Sequence, residues 1–579
     1  MTDHRRPRRP ARVAPVGAVA AVAALALGPV LLNRGFVLVG DMTFVPVQPW
    51  SGAWLGLDGS VPRAVPADAI VSVLTHVVPG DLLQKTILLG ALVLAALGMI
   101  RLVRGFTSSE AMLAPLAAGV LYLWNPWVLE RLAIGHWGLL VGYAAMPWLV
   151  GAALAVRGGE PRLPGLVVAA AVAAFSSPTG GVTALLVVLV LLVGAVPARV
   201  LAAAAGTVLL VNLPWVLPGL LGDPVPADPG GVAAFAARSD SPWGIVGSLL
   251  SFGGIWKRSI VPGERDSVLL VGLAVALTLV ALAVLVLRAR RGPDRGVFGR
   301  LLLLGLVGFL LAALPATGAG ADLSRSLVEH LPGAGILRDS QKWLLLLVLP
   351  VSAGVGLAVD LARRRLPALG LGVRVVPVAA VLMPLVLLPS LAWGVAGRLE
   401  PVRYPGEWQQ VRDVLADRPA ADRRTVVLPW SAYQRHRWNG DRAALEPAIR
   451  YFPGEVVTND VLVLNGHARV AGEDRTAARI GAAIAAGSDL GPVLERAGIR
   501  YVLVEKAVPG VVPPLGTATE VLHDGAELIL LDLGHGTGTP RLAGAWFVVA
   551  GDLVAFGAAL VALGFLILRR LRPKSSLIR

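Results

Sequence analysis

Apolar stretches of about 20 residues recur along most of this chain, and that recurrence decides its fold class. Such a stretch is long enough to carry a helix across a bilayer core. There, every backbone N–H and C=O must find its partner inside the protein. An average soluble domain is about a quarter charged. Here 15% of residues are charged, 55% are hydrophobic, and the mean hydropathy is +0.71. The chain reads as a polytopic membrane protein, mainly α-helical.

Twelve spans are expected, at about 13–33, 84–103, 110–125, 138–156, 163–176, 180–197, 200–219, 267–287, 301–319, 343–361, 374–396 and 543–568. SSPTGG interrupts the fifth and sixth, which read either as full helices or as a re-entrant pair. The start, MTDHRRPRRPAR, is basic like a signal peptide. The apolar run behind it is long for one and ends in no small-x-small site, so it reads as a first helix that stays attached.

The net charge of +15 does not point to nucleic acid, because the arginines cluster at the ends of apolar segments. With the N-terminus inside, the inner pieces hold Arg5–Arg12, Arg101 and Arg104, Arg157 and Arg162, Arg199, Arg288–Arg300, Arg363–Arg365 with Arg374, and Arg569–Arg579. Every inner loop is basic, and an even span count puts both termini in the cytoplasm. The partner implied is the lipid bilayer of the cell membrane. The chain has no cysteine, which excludes disulfides, thiolate metal sites and cysteine nucleophiles. No Walker loop, HExxH or GxSxG occurs.

Three parts follow: a transmembrane core at 1–396, an α/β domain at 397–542 on the outer side, and a last span with a basic tail at 543–579. In the second part RTVVLPW, EVVTNDVLVL, IRYVLVE and AELILLDLG read as strands, and DRTAARIGAAIAAG and LGPVLERAG as helices.

Four places could carry chemistry. In NRGFVLVGDMTF, Asp41 is the one acid of an otherwise acid-free run just after a span. It is either a solvated loop residue or a catalytic base or metal ligand. LYLWNPWVLERLAIGHWGLLVGYAAMPW packs Glu130, Arg131 and His136 among tryptophans. Charge at the interface is costly, so Glu130 and Arg131 either neutralise each other, or Glu130 and His136 face Asp41 across a cavity. Two acids at one pocket suit acid/base work or a divalent metal; no cofactor is otherwise called for. In ILRDSQKWLLLL, Arg338 and Lys342 are four apart and so share a helical face. They are either lipid-headgroup contacts or a clamp for a phosphate. In VVLPWSAYQRHRWNGDRAALEPAIRYFPG, Trp430, Tyr433, Arg437 and Trp438 could contact a sugar acceptor or dock the domain on the membrane face.

A long first outer loop opening with an acid, a second outer loop with another, and a multi-span body followed by an outer domain resemble the GT-C superfamily of membrane glycosyltransferases. More closely, GHWG, ILRDSQKW, LPW, WN and RYFPG resemble YfhO-type membrane proteins and their actinobacterial relatives. The resemblance implies transfer of a sugar from a polyprenyl-phosphate donor to a cell-envelope glycan or lipid acceptor, with inversion. It implies Asp41 as the first-loop catalytic acid, Glu130 as the second-loop acid, and Arg338 and Lys342 near the donor phosphate. Many relatives carry an acidic pair in the first loop. Here Met42 follows Asp41, which favours a lone base over a metal. The rival readings are a transporter or flippase for lipid-linked glycans, favoured by Asp552 inside the last span, and a non-catalytic envelope scaffold.

Overall fold

The computed structural model describes residues 14–571, apart from 109–111, 161, 224, 292–293, 366–374, 420–422, 465–467, 516–519, 535 and 537–541. Arg5–Arg12, Arg374 and the tail from residue 572 lie outside the described residues.

All twelve apolar segments contain helix, but they are not twelve full spans. Among the described residues, six helices are long and apolar enough to cross a membrane: Gly80–Arg104, Trp137–Arg157, Val268–Arg290, Arg295–Ala316, Gln341–Arg365 and Ala545–Arg569. Two more form only if bent pairs count as one: Ala198–Val211 with Leu213–Leu221, bent by 64°, and Val375–Leu387 with Pro389–Gly397, bent by 70°. Pro15–Ala26, Leu163–Ser176 and Pro178–Leu192 are shorter, and Leu113–Leu123 rises only about 16 Å. Proline explains most of the shortfall. The breaks fall at Pro29, Pro178, Pro214 and Pro389, each at the first or second position of the helix that follows. At SSPTGG the Ser177 hydroxyl caps the new helix by accepting the Gly180 N–H at 3.0 Å. The helix Gln341–Arg365 is the central one, with nearly all of its apolar stretch buried.

The strands lie at 424–532: β1 Arg424–Leu428, β2 Tyr433–Arg435, β3 Ala443–Leu445, β4 Glu455–Val457, β5 Leu462–Leu464, β6 Ala468–Val470, β7 Tyr501–Glu505, β8 Glu520–Asp524 and β9 Leu528–Asp532. Five form one sheet in the order β4-β1-β7-β9-β8. β1 is parallel to β4 and β7, while β9 is antiparallel to β7 and β8. β1 and β7 are buried along their whole length because both faces are covered. Val427, Tyr501 and Leu503 pack under Trp408, Val411 and Leu415. The alternate residues Val426, Leu428, Val502 and Val504 pack under Ile480, Leu490 and Leu494.

The β2–β3 hairpin leaves this sheet and grips the long loop after the first helix. Gly40 donates to Ala443 O at 2.9 Å and accepts from Leu445 N at 2.8 Å. Phe36 exchanges two backbone bonds with Val402, at 2.8 and 2.9 Å. Arg450 reaches Asp68 with two nitrogens, at 3.2 and 2.9 Å, and Thr43 with a third, at 2.8 Å. The sheet region and the first loop are therefore packed against each other.

Candidate active site

Two glycines bring Asp41 and His136 together. Gly40 has φ +53° and Gly135 has φ +79°, conformations that cost any other residue. They also sit backbone to backbone. A Cβ on Gly40 would lie 2.0 Å from Ile134 O, and one on Gly135 would lie 2.1 Å from Val39 O. The approach lets Asp41 N donate to Ile134 O at 3.0 Å. The next residue after each glycine then carries the chemistry: VGD in the loop and IGH after the short helix Pro126–Ala133.

Oδ2 of Asp41 lies 3.2 Å from Nε2 of His136. The other imidazole nitrogen, Nδ1, lies 3.0 Å from Nη1 of Arg131. Arginine can only donate. Nδ1 therefore accepts, and the N–H is assigned to Nε2, facing Asp41. Oδ1 of Asp41 accepts the hydroxyl of Tyr433 from β2. The Asp41 side chain remains 46% exposed. Burial pushes its carboxyl up, but His136, Tyr433 and Arg450 outweigh burial and hold it at about 2. Asp41 is thus an ionised, doubly hydrogen-bonded carboxylate.

Behind His136 a buried network continues. Arg131 donates to Asp339 at 2.7 Å and also to the side-chain oxygen of Gln341. Gln341 donates in turn to Glu130 at 2.7 Å and to Gly253 O at 3.3 Å. Glu130 and Arg131 do not pair with each other; adjacent helical residues point apart. Glu130 is fully buried. Burial first, then Asp240, pushes its carboxyl well up. Asp339 is held down by Arg131 against the effect of its burial. Glu130 therefore does not share an open cavity with Asp41. It reaches that residue through Gln341, Arg131 and His136.

Arg338 and Lys342 part company. The chain between them is a bend separating two short 3-10 turns, Ala334–Leu337 and Gln341–Leu344, so the four-residue rule for a helical face does not apply. Arg338 is tied to Glu473 at 2.6 Å, and Arg63 meets the same carboxylate at 3.1 Å. Lys342 is buried; its carbonyl accepts from Nε1 of Trp127 at 3.2 Å, while its ammonium lies 5.5 Å from the Trp343 ring centre with no hydrogen bond or ion pair to a described residue.

The four residues considered for the acceptor also divide. Tyr433 touches Asp41. Trp438 packs into an aromatic cluster with Tyr404, Trp408 and His436 at 4.8–5.6 Å. Trp430 is half-buried against the sheet, and Arg437 is exposed. Sequence reasoning missed Asp339 and Gln341, although both lie within the motif ILRDSQKW.

A small cleft, with about 40 Å³ of water-accessible space, lies between the helices Leu113–Leu123, Val268–Arg290 and Val375–Leu387. Its walls are mainly apolar, with Asn125, Glu264 and Arg265 among the lining. For a metal, the described residues offer one cluster, the buried trio His436, Glu446 and Glu505.

No protein-family model matches this chain, and no curated protein does. Solved structures do. The arabinofuranosyltransferase AftD from mycobacteria matches with TM-score 0.55 and 18% identity over 93% of this chain and 41% of that one. A second AftD structure gives 0.53 and 17% over 90% and 42%. The oligosaccharyltransferase of Archaeoglobus fulgidus gives 0.43 and 12% over 85% and 69%, too distant to carry argument. This chain spans about two fifths of the AftD structures. With its apolar helices the chain is a multi-pass membrane protein, and over nearly its whole length it shares the fold of the AftD structures.

Proposed function

We propose that this protein is a membrane glycosyltransferase, moving a sugar from a polyprenyl-phosphate donor to a cell-envelope glycan or lipid outside the membrane. The observation that carries the reading is the ionised Asp41 carboxylate, half-exposed and aimed by His136 and Tyr433 where first loop, helix hairpin and sheet region meet. The acceptor hydroxyl displaces one of these donors and gives its proton to Asp41 as its oxygen attacks the anomeric carbon. The bond to the phosphate oxygen breaks, and the phosphate leaves with the electron pair. Attack from the opposite face inverts the configuration. Lys342, whose ammonium makes no hydrogen bond or ion pair with a described residue, neutralises the leaving phosphate. Arg338 joins it only if Glu473 releases it. Glu130 acts through Gln341 and Arg131 as a positioning residue. The activity of AftD makes an arabinofuranosyl donor the first to try. The finer likeness to YfhO-type proteins rests on the short motifs alone.

The test is transfer in proteoliposomes from a panel of polyprenyl-phosphate sugars. Asp41→Asn should lower the rate by about 10²-fold or more with normal insertion. Full activity in that variant would refute the reading. One observation favours a flippase instead: Asp552, buried in the last span, has both carboxyl oxygens without a partner. Donor translocation without transfer, lost in Asp552→Asn, would select it.

A further inference from the structure

Behind the hairpin that carries Tyr433, three titratable side chains converge in the interior. His436 follows β2, Glu446 follows β3, and Glu505 ends β7. All are at most 3% exposed. Nε2 of His436 lies 3.1 Å from Oε1 of Glu505. Oε1 of Glu446 accepts the Ala448 N–H at 2.9 Å, and the two glutamates also meet. One ligating atom from each residue lies within 4.8 Å of the other two. Three further polar atoms have no hydrogen-bond partner among the described residues: Nδ1 of His436, Oε2 of Glu446 and Oε2 of Glu505.

A purely structural role explains this poorly. Two carboxyls side by side in a dry interior repel when ionised. A proton shared by the carboxyls quiets the repulsion but leaves Nδ1 of His436 without a partner among the described residues. A divalent ion answers both difficulties at once. Its charge balances two carboxylates, and its bonds use the spare lone pairs. One imidazole nitrogen with two carboxylate oxygens is a donor set for a borderline ion. On a tetrahedral ion ligand atoms sit about 3.4 Å apart, so a closure of roughly 1 Å is needed, which side-chain rotation supplies.

We propose that His436, Glu446 and Glu505 bind one divalent ion of the Zn²⁺ class, and that this ion fastens the β2–β3 hairpin to the main sheet. The placement gives the site a consequence. The ligands come from just beyond β2, just beyond β3 and the end of β7. In the same hairpin, Tyr433 pairs with Leu445 in register, and Ala444 bridges to Gly40. An ion that holds both strand ends to β7 holds the Tyr433 hydroxyl on Asp41. The metal is structural, is separate from Asp41, and stands without the transferase reading.

The test uses the full-length chain in detergent, stripped with a chelator and titrated with ZnCl₂, then separately with MnCl₂. Bound metal is counted by mass spectrometry, and Tm is followed by tryptophan fluorescence. The expected result is one equivalent of bound Zn²⁺ and a saturable rise in Tm. Glu446→Gln and Glu505→Gln should each weaken Zn²⁺ binding by at least about tenfold, while Asp41→Asn keeps the full equivalent. The stripped native chain gives its own readout if a variant fails to fold. Absence of saturable uptake of either ion by that chain overturns the proposal. So does loss of the equivalent in Asp41→Asn, or equal affinity in Glu446→Gln and the native chain.

Discussion

Gly135→Ala isolates what brings Asp41 to His136. Two costs attach to the added methyl. A φ of +79° costs a non-glycine residue about 1–2 kcal/mol. The second cost is steric. The new Cβ would lie 2.1 Å from Val39 O, 2.4 Å from Met42 N and 2.8 Å from Asp41 N, all backbone atoms that cannot rotate away. Ordinary contact begins at 3.4 Å, so the loop must withdraw by roughly 1 Å. The 3.2 Å contact between Asp41 and His136 does not survive that shift. A reacting group misplaced by about 1 Å loses about 10²-fold in rate. Gly159→Ala is the matched control. Its φ is +80°, yet nothing lies within 4 Å of its Cβ. It carries the first cost without the second. The assay compares the two variants, in Tm in detergent and in sugar transfer in proteoliposomes. Gly159→Ala should lose some stability and keep its rate; Gly135→Ala should lose more stability and about 10²-fold in rate. If the two variants match in both measurements, backbone contact at Gly135 does not position Asp41.

Two other outcomes test the network and the phosphate side. Arg131→Met leaves the half-buried Asp339 without its cation and should cost about 1.5–3 kcal/mol by chemical denaturation. Adding Asp339→Leu should recover a large part, and a silent single variant would show that the pair does not hold the site. Lys342→Met should raise the donor KM by about tenfold or more, whereas Arg338→Ala should leave it within about threefold, because Glu473 already holds that guanidinium. The opposite ranking would return the phosphate to Arg338.

The sequence exposed the membrane character and the α/β segment plainly, because both depend on local pattern. Length and apolarity mark a membrane helix, and VVL and VLV runs between turn residues mark buried strands. The span count was less legible. Hydropathy sums twenty residues, but Pro29, Pro214 and Pro389 divide such sums into two short helices each. At the site, Asp41 and His136 could be nominated because charge at the interface is costly. That they touch was only hinted at by the glycine before each. Tyr433 stood 392 residues from Asp41 and could enter only as a weak acceptor contact. Arg338 and Lys342 were read through a helical spacing that the 3-10 turns cancel. The common thread is that single-residue cost is visible in a sequence, whereas pairing across long separations is not. His436, Glu446 and Glu505 illustrate the limit most sharply. Each alone looks like an ordinary polar residue beside a strand, and their chemistry arises only when the hairpin folds back on β7. A site whose parts are individually unremarkable is therefore best sought among buried polar atoms that lack partners.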